Sequence, residues 1–367
     1  RKGSGVHPSE GHRIQFYPLS ARILLQLGLP PCCGGELSPY PRGQALDSFS
    51  KIALNAEAAQ SIVRHHFGSS TRLVRFEELK DGFFNAAALL ELGDGRKLVL
   101  KAAPPAEVRV LRYEADLLRA EVEAMRLVAE RTSVPVPAVR VYDPSRALLP
   151  SPFFLMDFLP GVPYHKLRPS LSPADQARVA FEMGRLTAAL GEVTGPAFGY
   201  WAQPCPPGVS WRECFAAMTR GVLQDGLDAG VDLELPYPEI YTRMETHFAV
   251  LDAVRVPRLV HWDLWDGNIF VDPATLRVSG LIDFERVLWG DPLIEAVFGD
   301  IDNCADARAG FGVDPLASPE ARTRRLLYNV YLHLIMVIEC TYRRYPTPDQ
   351  ENWVRPVLEK ELLALDQ

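Results

Sequence analysis

The chain has 367 residues, of which 47% are hydrophobic and 23% charged, with a formal net charge of -7 at pH 7. That length accommodates two domains or two lobes, and the apolar fraction excludes wholesale disorder. The acidic balance argues against a non-specific nucleic-acid binder, and no apolar run approaches the ~18–20 residues that cross a bilayer. We expect a soluble protein with neither nucleic acid nor membrane as a partner.

Cysteine usage indicates a reducing compartment. Six cysteines occur, at positions 32, 33, 205, 214, 304 and 340, and none forms a C-x-x-C pair. A zinc ribbon or a thioredoxin-like motif is therefore disfavoured, and we expect a cytoplasmic location. Residues 1–50 are rich in Pro, Gly and Ser without clear periodicity, which predicts an irregular N-terminal extension.

Residues 51–158 have the pattern of a small sheet with one long helix. Asn55 can cap a first helix that Gly68 would end. A longer helical pattern covers residues 108–131, until Val134-Pro135-Val136-Pro137 interrupts it. Strand-like stretches cover residues 72–79, 84–92, 97–102, 138–142 and 153–158. We interpret this region as a small N-terminal lobe.

Beyond Pro160-Gly161 the pattern becomes mainly helical. Helices are predicted near residues 173–191, 211–226, 237–252, 319–344 and 349–365, with short strands near 269–271 and 278–282. The sequence predicts an α+β fold of two lobes: a small β-rich N-terminal lobe over residues 51–158, and a larger, mainly helical C-terminal lobe over residues 159–367.

The densest cluster of polar residues has the form H-x-D-x-x-x-x-N, from His261 through Asp263 to Asn268. Fifteen residues later, Asp283 ends a strand-like run. Phosphoryl transfer from ATP needs one carboxylate for the nucleophile's proton, and an amide with a second carboxylate for the metal. Asp263 fits the first role, and Asn268 with Asp283 fits the second.

The N-terminal lobe should supply a cation for the phosphates. Lys101 ends an apolar strand, where a kinase-type fold places the lysine that a helix glutamate holds. Glu114, Glu121 and Glu123 are the candidates, and we prefer Glu121, one turn before Met125 in the inward-facing stripe. A strand-end lysine and a helix acid can equally be solvated surface residues.

Nucleotide binding also needs backbone donors and an apolar slot. The turn at Gly82 could cover the phosphates, although it lacks G-x-G-x-x-G, and the chain has no P-loop motif. The stretch before Pro160-Gly161 fits an interlobe hinge, in which Met156 packs near adenine while the backbones of Asp157 and Leu159 contact its edge.

These motifs together resemble the aminoglycoside phosphotransferase-like family of small-molecule kinases, which share the protein-kinase-like fold. The resemblance covers about residues 72–333 and includes Gly290-Asp291-Pro292. It implies an ATP- and Mg²⁺-dependent kinase in which Asp263 is the catalytic base, Asn268 and Asp283 bind Mg²⁺, and Lys101 contacts ATP. Asp291 would order its loop. By the same resemblance residues 51–158 would form the nucleotide-binding lobe, and residues 159–367 the catalytic and substrate lobe.

The phosphate acceptor stays open at this stage. Residues 201–310 contain 18 acidic residues against 8 Arg and no Lys, so they could line a pocket for an aminoglycoside or another cationic metabolite. The loop from Asp263 to Asn268 also resembles that of ketosamine kinases, so a ketosamine is another candidate acceptor. Choline as the acceptor would need an aromatic cage. A pseudokinase that binds nucleotide without catalysis is the alternative from another class. The candidate acids are Asp225, Asp228, Asp232, Glu234, Glu239 and Glu245, and the candidate aromatics are Trp201, Trp211, Trp262, Trp265 and Trp289.

Overall fold

The N-terminal part of the structure is one antiparallel sheet with the strand order β1-β2-β3-β5-β4. The computed structural model describes residues 51–79, 84–297, 304–312, 314, 316–345 and 347–366, so the predicted extension over residues 1–50 lies outside it. The strands are β1 (Leu73–Leu79), β2 (Ala86–Leu92), β3 (Lys97–Ala102), β4 (Val139–Asp143) and β5 (Phe153–Asp157).

The two faces of this sheet carry different cores, because side chains alternate along each strand. Leu98 and Leu100 of β3 face helix α1 (Ala56–Phe67), which Asn55 caps through the Ala58 N–H at 2.9 Å. Val99 faces the opposite way, toward helix α2 (Leu117–Arg131) and the rest of the molecule. The same alternation places Lys101 on the α2 side, which is the side that a nucleotide site between the lobes requires.

Helix α2 begins nine residues later than the pattern over residues 108–131 predicts. Arg112–Glu114 form a single 3-10 turn, and Asp116 adopts φ 64°, a left-handed conformation that interrupts the helix before Leu117. Leu111, Tyr113 and Glu114 are buried, so tertiary packing overrides the helical periodicity of this segment.

The second part of the chain is mainly helical, with two small sheets ordered β11-β10-β6 and β8-β7-β12-β9. The helices are α3 (Tyr164–Leu167), α4 (Pro173–Gly191), α5 (Trp211–Ala229), α6 (Tyr237–Glu245), α7 (Ala305–Phe311), α8 (Pro319–Arg343) and α9 (Asp349–Ala364). The strands are β6 (Val162–Pro163), β7 (Gly199–Tyr200), β8 (Gln203–Pro204), β9 (Arg258–Val260), β10 (Ile269–Val271), β11 (Val278–Leu281) and β12 (Leu288–Gly290).

Helix α8 is the longest described helix and forms the centre of this part. Its middle is buried on nearly all sides by α5, α9 and neighbouring loops. His333 and Glu339 lie within that buried stretch. Among the described helices, α8 included, none combines the length and the apolar character that a bilayer span needs.

Candidate active site

The loop between β9 and β10 carries the H-x-D-x-x-x-x-N motif. The Asn268 side-chain amide donates to the Asp263 carbonyl at 2.8 Å, which ties the two ends of the loop together. His261 accepts the Asp263 N–H at Nδ1, at 3.2 Å, so its Nε2 carries the proton and donates to the Ile282 carbonyl at 2.9 Å. Burial lowers the pKa of His261 to about 4, which keeps the ring neutral. His261 therefore joins the loop to the strand end that precedes Asp283.

A second carboxylate fixes the backbone of the same loop. Glu295 accepts the N–H of Trp262 at 2.5 Å and of Leu264 at 3.2 Å, on both sides of Asp263. Trp262 has φ 57°, an uncommon conformation for a bulky residue. Its ring is fully buried and stacks on Tyr331 at 5.6 Å. Glu295 and the packing of Trp262 thus hold a strained turn that presents Asp263.

Lys101 lies at the centre of three carboxylates. Its ammonium is 2.7 Å from Glu121, 2.5 Å from Asp283 and 3.3 Å from Glu285. The structure therefore brings together three residues that the sequence placed in one site: Lys101, Glu121 and Asp283. Glu123, the neighbouring candidate, turns away from Lys101 and accepts from the Trp201 indole N–H at 2.7 Å.

One ammonium serves three carboxylates in this cluster, of which Glu121 and Glu285 are buried and Asp283 is partly exposed. Burial opposes the charge of Lys101, but Asp283, Glu121 and Glu285 more than compensate and raise its pKa. Burial raises the pKa of Glu121 to about 8, only partly offset by Lys101. Oxygen atoms of the three acids lie within 4.8 Å of one another. An additional cation would favour the charged forms of these acids, and carboxylate oxygens are the ligands that Mg²⁺ prefers.

Several buried polar atoms in this region also lack hydrogen-bond partners among the described residues. They include Oδ1 of Asp263, Oε1 of Glu121 and Oδ1 of Asn85. A buried acceptor without a partner costs free energy, so such atoms indicate a place where a ligand completes the structure. Oδ2 of Asp263 already faces the Asn268 amide at 3.4 Å, which leaves Oδ1 to accept a further hydrogen bond. The clustered oxygens of Glu121, Asp283 and Glu285 are of the type that binds Mg²⁺.

Glu285 and Asn85 are site residues that the sequence reasoning missed. The Asn85 amide, just before β2, donates to Glu285 at 2.6 Å and so joins the sheet to the segment after Asp283. The sequence analysis gave Glu285 no role, although its position two residues after Asp283 was an available signal. Asn85 follows the turn at Gly82 in the sequence, but its link to Glu285 was not predicted because the two residues are 200 positions apart.

The predicted hinge occupies the end of β5. Met156 is buried between Val99 and Val139 of the neighbouring strands, on the Lys101 face of the sheet. The Asp157 N–H bonds to the Ala138 carbonyl at 3.0 Å. Leu159 lies against Gly280 of β11, where a Cβ would come within 2.4 Å of the leucine side chain. Gly82, the predicted phosphate-covering turn, lies outside the described residues.

Most of the acids proposed to line a site for a cationic acceptor are paired with arginines. Arg112 pairs with both Asp225 and Asp228, Arg243 pairs with Glu239, and Arg355 lies 3.9 Å from Glu234. Asp291 accepts from Arg324 at 2.9 Å and from Tyr328 at 2.8 Å, which orders its loop.

The five candidate tryptophans are dispersed rather than gathered into a cage. Trp211 and Trp262 are fully buried in the core, and Trp265 stacks on His165 at 5.4 Å. Trp201 and Trp289 stack on each other at 5.2 Å. An aromatic box of the kind that binds choline is therefore not formed by these residues.

Comparison with known proteins identifies the relatives of this chain. The sequence model of the phosphotransferase enzyme family matches residues 75–323. A solved Thermobifida fusca protein, assigned as a fructosamine-3-kinase, is 20% identical with a TM-score of 0.61, covering 85% of this chain and 99% of that one. A thermostable mutant of aminoglycoside phosphotransferase APH(4)-Ia, in a ternary complex with AMP-PNP and hygromycin B, is 15% identical with a TM-score of 0.60, covering 84% and 98%. These likenesses confirm the predicted two-lobed α+β, protein-kinase-like fold.

A curated relative is much longer than this chain. Mouse acyl-CoA dehydrogenase family member 10 is 24% identical over 257 residues, which make up 67% of this chain but 22% of the mouse protein. The chain thus spans about a fifth of that relative, and the dehydrogenase name describes a much larger protein.

Proposed function

Because the chain belongs to the phosphotransferase enzyme family and is a small-molecule kinase, we propose that it transfers the γ-phosphate of ATP, with Mg²⁺, to a hydroxyl of a small molecule. The observation that carries the proposal is the Lys101 cluster, in which one ammonium faces Glu121, Asp283 and Glu285. A bound AMP-PNP in the APH(4)-Ia complex supports ATP as the donor. We place the lobe boundary after Phe158, with the nucleotide between residues 51–158 and 159–367.

Each residue has a defined task in the proposed reaction. Lys101, held by Glu121, contacts the phosphates, and Met156, Asp157 and Leu159 surround adenine. Asn268 and Asp283 hold Mg²⁺, which when bound neutralises phosphate charge. Oδ1 of Asp263 accepts the hydroxyl proton as the acceptor oxygen approaches phosphorus. The transition state is loose, so alignment and charge neutralisation contribute more than basicity.

The non-catalytic alternative is less well supported. A pseudokinase typically lacks the lysine, the base or a metal ligand, whereas Lys101, Asp263, Asn268 and Asp283 are all present here. An acceptor such as an aminoglycoside would have to rely on acids other than Asp225, Asp228 and Glu239, because arginines already neutralise these. A ketosamine or another hydroxyl-bearing metabolite does not need a group of unpaired acidic residues in its binding site.

The test is an acceptor screen with ATP and Mg²⁺. The panel contains aminoglycosides, ketosamines, choline and homoserine, and phosphorylated product is detected by mass. A product that gains one phosphate and disappears when Mg²⁺ is chelated supports the proposal. Nucleotide binding by thermal shift, with no product from the panel, would favour the pseudokinase.

A further inference from the structure

Each N–H of the Lys101 ammonium already has an acceptor in this structure. A lysine carries three donor hydrogens, and three carboxylates accept them. The distances from Nζ are 2.7 Å to Glu121, 2.5 Å to Asp283 and 3.3 Å to Glu285. The proposed reaction needs the same ammonium to contact the phosphates. One of the three carboxylates must therefore leave Lys101 when a phosphate oxygen of the nucleotide arrives.

Glu121 and Asp283 are the more firmly held of the three acids. The Glu121 side chain is 1% exposed, and Oε2 bonds to Lys101 while Oε1 has no partner among the described residues. If Glu121 lost Lys101, a buried carboxylate would keep no hydrogen bond to any described residue, which is costly. Asp283 makes the shortest of the three contacts with the ammonium.

Glu285 differs from the other two acids because a second described residue donates to it. The Asn85 side-chain amide bonds to Oε2 of Glu285 at 2.6 Å, and Asn85 is only 5% exposed. The same oxygen makes the longest contact with Lys101, at 3.3 Å. When Lys101 turns to a phosphate, Oε2 of Glu285 therefore keeps a buried hydrogen bond and avoids the cost of an unpaired acceptor.

Contacts on both sides fix Asn85 at this place. Ala87 of β2 pairs with Lys101 of β3, and Asn85 precedes Ala87 by two residues, so its side chain shares the face of Lys101. The ring of Phe84, the preceding residue, lies 4.3 Å from the Arg343 guanidinium of α8. The start of β2 is thus held against the segment that follows Asp283.

We propose that Asn85 is a positioning residue for nucleotide binding, which holds Glu285 while Lys101 exchanges that carboxylate for a phosphate oxygen. The inference rests on the proposed function, in which Lys101 contacts the phosphates. Only hydrogen bonds are exchanged: Lys101 keeps its protons, and Oε2 of Glu285 passes from two donors to one. Without Asn85, Lys101 would be the remaining described donor to Glu285, and this carboxylate would compete more strongly with the phosphates.

The experiment is a double-mutant cycle on nucleotide binding, and it needs no acceptor. Titration calorimetry gives the Mg²⁺-ADP affinity of wild type, Asn85→Ala, Glu285→Gln and the double variant. Asn85→Ala should weaken binding about tenfold, the lower end for one hydrogen bond to a charged group. Glu285→Gln should tighten binding, because a neutral amide competes less for Lys101. In the Glu285→Gln background, Asn85→Ala should change the affinity by less than about twofold, since no carboxylate is left to release.

Glu123→Gln is the matched control for the loss of a charge. Glu123 lies on α2 two residues after Glu121, but it accepts from Trp201 and Arg119 rather than from Lys101. Its substitution should leave the Mg²⁺-ADP affinity unchanged. Thermal unfolding of each variant separates a folding defect from a change in binding. If Asn85→Ala does not fold, Glu285→Gln carries the test, and binding no tighter than that of wild type overturns the proposal.

The outcomes distinguish the positioning role from the proposed function. No binding of Mg²⁺-ADP to wild type would contradict the proposed function itself. With wild-type binding intact, an equal loss from Asn85→Ala in both backgrounds would show that Asn85 acts on the nucleotide or on the fold directly, and no loss in either would show that it has no part in binding. Weaker binding by Glu285→Gln would identify Glu285 as a metal ligand. Each of these three results would overturn the role of Asn85.

Discussion

Two acidic regions of the molecule differ in how their charges are balanced. Beside β3, one lysine serves Glu121, Asp283 and Glu285, and Oε1 of Glu121 has no partner among the described residues. On α5, Arg112 engages Asp225 through both its backbone N–H and its side chain, and also reaches Asp228. The sequence offered both regions as places for a positively charged ligand.

The difference shows that the partners of acidic residues, rather than their number, mark a binding site. Asp225 is 3% exposed and its charge is met by Arg112, so it secures the 3-10 turn before α2 against α5. In the Lys101 cluster three carboxylates surround one ammonium, and a bound metal would favour their charged forms. Substitution of an arginine-paired acid such as Asp225 should therefore change the stability of the protein. Substitution of an acid around Lys101 should change catalysis.

The largest expected effect is at the cluster. Asp283→Asn should lower phosphotransfer by about 10³-fold or more, because it removes the charge of a proposed metal ligand. Its thermal stability without nucleotide should not fall, since Glu121 and Glu285 still surround the Lys101 ammonium. Turnover with Mg²⁺ and thermal unfolding of the same preparations check both statements. If Asp283→Asn is stable and its turnover equals that of wild type, Asp283 is not a metal ligand in the reaction.

Glu295 adds a third case to the comparison of acidic residues. Its carboxylate accepts hydrogen bonds from backbone N–H groups and is not paired with an arginine among the described residues. Burial raises its pKa to about 7, from 4.5. A carboxyl whose pKa is higher in the folded state contributes stability that is present below about pH 4.5 and is lost as the pH rises through about 7. The free energy of unfolding of wild type relative to Glu295→Gln should therefore fall between pH 5 and 7 and level off above that, as denaturant titrations can measure. A difference that is constant with pH, or rises, would refute this assignment.

The α5 region should respond in stability rather than activity. Asp225→Asn should lower the free energy of unfolding by about 1.5–3 kcal/mol, the range for hydrogen bonds to a charged group, with kcat nearly unchanged. Asp228→Asn is the matched control, since it removes an exposed partner of the same arginine and should change neither quantity measurably. If Asp225→Asn instead raised the KM for a cationic acceptor without a loss of stability, this acid would belong to the acceptor site.

The sequence predicted much of the fold because its signals are local. The alternation of side chains along β3 and the position of Lys101 at the strand end could be predicted from the sequence. The spacing of His261, Asp263 and Asn268 could be recognised in the same way. The start of α2 at Leu117 was not readable, because the preceding turn is held by Asp225, far along the chain. The links from Asn85 to Glu285 and from Glu295 to the Asp263 loop were missed for the same reason: they join distant segments.

The most direct test of the central claim compares wild type with Asp263→Ala. Both proteins are assayed for Mg²⁺-ATP binding, and for transfer of the γ-phosphate to whichever acceptor the screen identifies. The account predicts that Asp263→Ala binds Mg²⁺-ATP as wild type does and loses about 10²–10⁴-fold in kcat, the range for a general base. Wild-type turnover by Asp263→Ala would contradict the account.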